Sequence, residues 1–453
     1  MQNQMENNLA EGGVLKKLIL FSLPFLASNI VQSFYNVADM LIVGNFSGAE
    51  SMSGVNIGGQ VTFILTNIIV GLCVGATVLI GQYVGSGNEK GVKSVTSTII
   101  SLLFWLGLGI TAVMLIFKGP VLDLIRTPAE SYAESDNYLT VTVLGIIFIF
   151  GYNALSAILR GMGDSKHPFY FVLIACITNV VLDLLFVAVF DWKAFGAALA
   201  TVISQALSMV LCIIYMRRNG FHFSFKIDME QLKLILRIGL PSCIQNAITS
   251  ISFLFITAIV NIVGGVSASA AVGAWGKFNS FAFMPTIAMS ASISTMSAQN
   301  IGANRLDRAV EACRIGTIFS VVVTFIFFAL VRMYPTQILN LFGADAAMHE
   351  AGREYISSFS YDLLLIPFIF CINGLLIGGG HTMFTMITSM LSSVLLRVPV
   401  CYFFGVVLDW KLYGVGMGAP VASAASLLLI VIYMLTGRWK HNAIRSAPVM
   451  ADA

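Results

Sequence analysis

Residues 18–44 read LILFSLPFLASNIVQSFYNVADMLIVG, an apolar run interrupted by one polar series, Asn29, Gln32, Asn36 and Asp39. A bilayer crossing needs ~20 consecutive apolar residues, which this run supplies. The polar residues follow at steps of 3, 4 and 3, so they share one helix face. That face is unsuited to lipid and calls for a water-filled cavity or another helix. Eleven further apolar runs follow, over residues 54–83, 94–117, 133–159, 168–190, 196–216, 234–263, 271–299, 314–331, 355–379, 383–408 and 414–436. The expected fold is an all-α polytopic membrane protein with twelve transmembrane helices.

Composition supports this. Hydrophobic residues make up 57% and charged residues 10% of the 453, with a mean hydropathy of +0.87. A soluble domain carries about 25% charged residues, so a soluble enzyme is excluded. A net charge of +3 gives no footprint for nucleic acid. The seven cysteines, Cys73, Cys176, Cys212, Cys243, Cys313, Cys371 and Cys401, show no CxxC spacing and read as small buried hydrophobes. The segment before Leu18, with Glu6, Glu11, Lys16 and Lys17, contains no short apolar core with a cleavage site, so the first apolar run is read as a retained span.

Basic residues are unevenly shared between alternate loops. Seventeen Lys and Arg fall on the side of Lys16, Lys17, Arg217, Arg218, Arg305, Arg308 and Arg445, and six on the other, Lys118, Arg126, Lys193, Arg332, Arg353 and Lys411. The remaining two, Lys277 and Arg397, lie inside spans. Cytoplasmic loops carry the excess of Lys and Arg, which predicts both termini inside and a multi-pass protein of the cell membrane. The expected organisation is a cytoplasmic segment over 1–17, a first lobe over 18–216, a linker over 217–233, a second lobe over 234–436 and a cytoplasmic tail over 437–453.

The two halves resemble each other. At an offset of 217, Leu23-Pro24 meets Leu240-Pro241, Gly48 meets Gly265, and QYVGSGN (82–88) meets QNIGAN (299–304). At 218, Asp191-Trp192-Lys193 meets Asp409-Trp410-Lys411. Six spans per unit, both units starting from the same side, predict two parallel repeats. The two glycine-bearing turns are read as tight turns and nothing more.

Ionisable groups within spans are costly and mark function by default. Four are noted: Asp39, Asp183, Lys277 and Arg397. Asp183 has Asn179 one turn earlier on its face. At ~1.5 Å per residue, Asp39 lies ~32 Å and Asp183 ~22 Å along their helices, and Thr201 enters from the far side. Asp39, Asn179, Asp183 and Thr201 are therefore expected to converge. Their hard oxygens suit Na⁺, and two carboxylates in a poorly solvated site can equally share a proton. Lys277 is close enough to a span end to snorkel. Arg397 precedes Pro399, whose ring frees a helix carbonyl, so it can serve structure or substrate. Gln32, Tyr35, Asn36, Asn153, Gln205 and Arg397 are candidates to line a substrate cavity; Gln245, Asn261 and Asn373 either line it or stitch helices. No nucleotide-binding, serine-hydrolase or zinc-protease motif occurs, and the histidines, His222 among them, lie at or beyond span ends. No cofactor and no enzymatic activity are expected.

The opening LPFLASNIVQSFYNVADMLIVG (23–44), the paired turns QYVGSGNEKG (82–91) and QNIGANRLDRA (299–309), and ILRGMGDSKHP (158–168) together resemble the MATE family of multidrug and toxic compound extrusion transporters. The resemblance covers residues 14–440. It implies two six-helix bundles and ion-driven export by alternating access. Within the family the chain looks DinF-like, which implies a first-lobe cation site at Asp39, Asn179, Asp183 and Thr201 with Tyr138 beside it. The NorM-like subgroup carries acids in the seventh and tenth spans; Ile248, Thr249, Cys371 and Asn373 stand in those regions here, so no second-lobe cation site is expected. The function implied is a secondary antiporter exporting amphipathic, often cationic drugs or metabolites in exchange for H⁺ or Na⁺. The alternatives are a flippase for a lipid-linked substrate, which would need a strongly cationic cavity, and, further off, a membrane-embedded lipid enzyme. The partners expected are a small amphipathic substrate and the lipid bilayer, with the protein a monomer.

Overall fold

The computed structural model describes residues 9–221, 223–342 and 346–442. Glu6, His222, Asp345, Arg445 and the rest of the tail after Asn442 lie outside the described residues. Within them every regular element is helical.

Among the described residues, eight helices are long and apolar enough to cross a membrane. Two further crossings are bent pairs, Ala129–Leu144 with Ile146–Gly161 at 50° and Ala346–Phe359 with Asp362–Gly378 at 48°. Two of the eight, Val14–Gly85 and Met229–Gly302, run for 72 and 74 residues. At ~1.5 Å per residue either would be over three times the ~30 Å apolar thickness. Each is broken, at Gly48 (φ 81°, ψ −179°) and Gly265 (φ 62°, ψ −149°), and so supplies two spans. Only glycine adopts these angles without strain. The arms fold onto each other: Val43 and Val55 pack in one cluster with Tyr138 and Val187, and Val260 packs with Ala268 and Ala271. The total is the twelve spans read from the sequence. The remaining spans are Glu89–Leu124, Lys166–Asp183 continued by a π-helical turn to Val189, Lys193–Arg218, Leu306–Met333, Thr382–Val407 and Lys411–Leu435.

The backbone repeats with the sequence. Left-handed φ recurs at Gly163 and Gly380 (90° and 84°), Asp191 and Asp409 (52° and 53°), and Lys193 and Lys411 (47° and 46°). A π-helical turn precedes each Asp-Trp-Lys, at Leu184–Val189 and Phe403–Val407.

Apolar surface faces outward: Ile116 is 72%, Trp105 62% and Leu254 72% exposed. The interior holds small and hydroxyl residues, whose side chains bond carbonyls of their own helix, as Thr142 does to Tyr138 (2.9 Å), Ser204 to Ala200 (2.7 Å) and Ser292 to Ala288 (2.7 Å). That inversion suits lipid, where helices associate through small residues and internal hydrogen bonds. The cysteines are all free, six of them buried and Cys176 partly so.

The chain packs as two compact units, one of Leu23–Cys243 and one of Leu9–Ser22 with Ile244 onward. They are cut at different points from lobes counted by spans, because each lead-in segment is held by side chains of its own unit. In the second unit Gln299 accepts from Leu9 N–H (2.9 Å), Arg305 donates to Ala10 O (2.7 Å) and Arg308 to Gly12 O (2.8 Å). In the first, Ser94 donates to Asp228 Oδ2 (2.6 Å), Asp228 N–H to Thr98 Oγ1 (3.1 Å) and Tyr83 OH to Gln231 (3.1 Å). QNIGAN and QYVGSGN are thus more than the tight turns expected: Gln299 and Tyr83 anchor the segments leading into the first and seventh spans.

Candidate cation site and cavity of the first unit

The fifth span changes from α to π winding directly after Asp183. π-helical turns are rare and concentrate at functional sites. Asn179 and Asp183 are both fully buried. With its amide nitrogen turned to the acid, Asn179 donates to Asp183 Oδ2 at 2.8 Å and accepts from Thr201 N–H at 3.2 Å, which satisfies both ends of the amide. Thr201 Oγ1 lies 2.9 Å from Tyr35 OH. Tyr35 stands one turn before Asp39 on the first span. Asp39 is 7% exposed and within electrostatic reach of Asp183. Tyr138, also buried, faces both acids. Its ring rests on Gly58, where a Cβ would come within 2.6 Å of Cδ1. The four residues expected to converge do so.

Among the described residues, Oδ1 of Asp39 and Oδ1 of Asp183 have no hydrogen-bond partner. Among the described residues Asp39 is the charged group that acts on Asp183, and neither acid has an ion-pair partner there. Buried carboxylate without a counter-charge is strongly unfavourable. The arrangement therefore asks for a proton or a small cation. Asp39 and Asp183 would supply the charge for it and Thr201 Oγ1 a neutral oxygen, while Asn179, with its amide nitrogen on Asp183, holds that carboxyl in place.

Asp39 also lines a cavity of about 520 Å³ in the first unit. Gln32, Tyr35, Asn36, Tyr138, Thr201, Asn153 and Gln205 line it too, while Asn179 and Asp183 lie behind its wall. Asn153 spends its amide hydrogen on Ile149 O (2.8 Å), whereas Gln205 Oε1 is buried without a partner. Residues that the sequence reading did not name add to the polar lining: Asn56, Gln60, Thr62, Thr66 and Asn67 of the second span, and Ser204 and Ser208 of the sixth. Asn56, Gln60 and Asn67 fall at helical spacing, the same signal that marked the first span.

Arg397 belongs to the second unit and does not line this cavity. Its guanidinium sits over the rings of Phe253 and Phe359, 5.1 and 5.6 Å from their centroids. Lys277 is exposed. Gln245 stitches helices, donating to Ser389 at 2.7 Å. The tally of four intramembrane ionisable groups needs correction: Asp362, 3% exposed, opens the lower half of the tenth span. The sequence reading named Cys371 and Asn373 in that span and passed over this acid.

The MatE family model matches the chain twice, over residues 24–185 and 241–403, once in each half. Two Bacillus subtilis (strain 168) proteins are similar over nearly their whole length. The probable multidrug resistance protein YoeA is 29% identical over 93% of both chains, and YpnP is 27% identical over 96% of this chain and 97% of its own. The multidrug export protein MepA of Staphylococcus aureus (strain NCTC 8325 / PS 47) is 24% identical over 94% and 95%. Among solved structures, MATE in the straight conformation superposes with a TM-score of 0.88 at 23% identity, covering 97% of this chain and 99% of that one. MATE in the bent conformation gives 0.88 at 22% over 95% and 97%. The chain belongs to the MatE family, and it is a multi-pass membrane transporter with the twelve-span, two-repeat fold.

Proposed function

We propose that the protein is a secondary active antiporter of the cell membrane, exporting amphipathic, often cationic organic compounds in exchange for H⁺ or Na⁺. The observation that carries this is the pair of buried carboxylates, Asp39 and Asp183, each with an unpartnered oxygen and no basic neighbour. The cavity beside them has no Lys or Arg in its lining, which favours neutral and cationic occupants over anionic ones. The relatives named for multidrug resistance and export support drugs as the substrate class. The match to Asp39, Asn179, Asp183 and Thr201, residue by residue, supports a DinF-like assignment. The excess of Lys and Arg on the side of the lead-in segments supports cytoplasmic termini.

Ion and substrate act on one equilibrium. A ligand shifts a conformational equilibrium only by its differential affinity for the two states, so ion and substrate must favour different ones. Neutralising Asp39 and Asp183 relieves their mutual repulsion and stabilises the ion-bound state. Releasing the ion restores the repulsion and favours the other.

The test is export of ethidium from proteoliposomes under a proton gradient alone and a sodium gradient alone. Transport driven by one and abolished by its ionophore supports the antiporter and names the ion. Export that persists with both gradients collapsed overturns it.

A further inference from the structure

The second unit contains a buried acid that the candidate cation site does not use. Asp362 is the first residue of Asp362–Gly378, directly after the 48° bend of the tenth span. Its Oδ1 has no hydrogen-bond partner. The polar groups that face it are Arg397 of the eleventh span, Ser423 of the twelfth and Tyr355 of its own span. Arg397 in turn faces Tyr355, Cys401 and Asp362, and its Nε is also unpartnered. The acid and the guanidinium make no direct ion pair.

The repeat gives this cluster its meaning. Arg397 occupies the position of Asn179, 218 residues earlier. Tyr355 corresponds to Tyr138 at 217. The positions of Asp39, Asp183 and Thr201 are taken by Ile256, Cys401 and Ala419, all buried. The second unit thus keeps the tyrosine, loses both acids of the pair, gains a different acid and gains a fixed cation.

We infer that Arg397 is the tethered counter-ion of Asp362, doing for the second unit with a side chain what an exchangeable cation would do for the first. A guanidinium stays charged at every pH in question and is weakly hydrated, so it can remain in a poorly solvated place. Phe253 and Phe359 present their ring faces to it, which holds a cation without neutralising it. In a low dielectric a cation that does not touch the acid still compensates it. The consequence is an asymmetry: Arg397 offsets part of the cost of burying the Asp362 carboxylate, so the acid's need of a proton or Na⁺ from solution is smaller while Arg397 is in place and grows when Arg397 is removed. The inference does not require Asp39 and Asp183 to carry the coupling ion.

Trp275 is a built-in reporter. Its ring meets that of Phe359 edge-on at 5.5 Å, and Phe359 carries Arg397 on its face. The experiment uses full-length protein in lipid nanodiscs with the other four tryptophans, Trp105, Trp192, Trp410 and Trp439, changed to phenylalanine. Trp275 emission is titrated with pH and separately with Na⁺. Arg397→Gln should enlarge the response to one of these, or move its midpoint to higher pH, relative to the parent; Arg397→Lys should stay close to the parent, and Arg397→Gln with Asp362→Asn should lose the response. The same series on an Asp39→Asn background should give the same result, so failure of the proposed coupling site leaves this outcome unchanged. An Arg397→Gln response no larger than the parent's with an unmoved midpoint, or a response surviving in the double variant, overturns the inference.

Thermal unfolding covers the case of a poorly folding single variant. Arg397→Gln and Asp362→Asn should each lower Tm by roughly 5–10 °C, since each strands a buried charge. The double variant should recover most of that loss. Losses that simply add would show two independent groups and overturn the pairing.

Discussion

At corresponding points the first half of the chain carries Asp39, Asn179, Asp183 and Thr201, and the second carries Ile256, Arg397, Cys401 and Ala419. The backbones agree at their turns, although the eleventh span carries a π-helical segment, Leu391–Leu396, directly before Arg397 where the fifth span is α-helical up to Asp183. Both halves reverse at a glycine with positive φ, and both place an Asp and a Lys in left-handed conformation before their last span. The comparison teaches that turn and hinge residues hold the architecture in common, while a handful of side chains on that architecture differ, leaving two buried acids in the first half and a guanidinium in the second. Duplicated folds do not imply duplicated sites.

The largest expected effect tests the first half's side of this contrast. Asp39→Asn and Asp183→Asn should each reduce gradient-driven export to below about a tenth of the parent rate, because the ion's preference for one state disappears with the charge. The two act as one unit, so the double variant should lose little beyond either single one. Initial rates in proteoliposomes, with reconstituted protein quantified, provide the measurement. Wild-type transport by Asp39→Asn with unchanged ion dependence would sink the assignment.

The contrast also separates what was legible in the sequence from what was not. The repeat was legible because its turns are made by residues with strong local requirements: Gly48 and Gly265, and the twin Asp-Trp-Lys corners. The first-unit acids were legible because charge within a long apolar run is rare and the stripe from Asn29 to Asp39 has helical spacing. Asp362 was passed over for a physical reason. It follows the polar run Ser357, Ser358, Ser360, Tyr361, which makes the local hydropathy resemble a span mouth. The bend that buries it carries no glycine or proline, whereas the matching bend in the first half has Gly145. Asn56, Gln60 and Asn67 are neutral, and periodicity alone does not say which helix face meets a cavity. The grip of Gln299 on Leu9 joins residues 290 apart, beyond any local pattern.

A medium effect tests the shared backbone. Gly48→Ala and Gly265→Ala should each cost about 1–3 kcal/mol, the strain of a side chain in that region of φ and ψ. Steric contact adds nothing, since a Cβ at either position would meet open space. Thermal unfolding of the two variants should therefore shift by similar amounts. A loss at one glycine and none at the other would show that the two reversals are not equivalent.

The smallest effect concerns how the two lead-in segments are held. The segment before the seventh span depends on a carboxylate: Asp228 accepts from Ser94 at 2.6 Å and caps the helix by accepting from Glu230 N–H (2.9 Å) and Gln231 N–H (3.3 Å). The hydroxyl of Ser94, together with those amides, holds the Asp228 carboxyl below the usual carboxylate range. The segment before the first span is held instead through its backbone carbonyls by the guanidinium groups of Arg305 and Arg308. A carboxyl whose pKa is depressed by folding contributes stability above its unfolded value near ~3.9, and that contribution fades as pH falls through the folded value. The hold on the seventh-span lead-in should therefore weaken below pH ~4, while that on the first-span lead-in stays. Asp228 is only half-buried, so solvent screens it and the expected size is that of a helix cap, about 1 kcal/mol or less. Hydrogen exchange, corrected for intrinsic rates, should show amides 228–232 opening up to about fivefold more often at pH 3 than at pH 6.5. Amides 9–14 should not change. Asp228→Asn keeps a good capping side chain but removes the charge, so it should abolish the pH dependence while leaving most of the protection at pH 6.5. Equal acid sensitivity in both segments would mean that the two halves are gripped alike, and that the contrast between carboxylate and guanidinium anchors has no consequence.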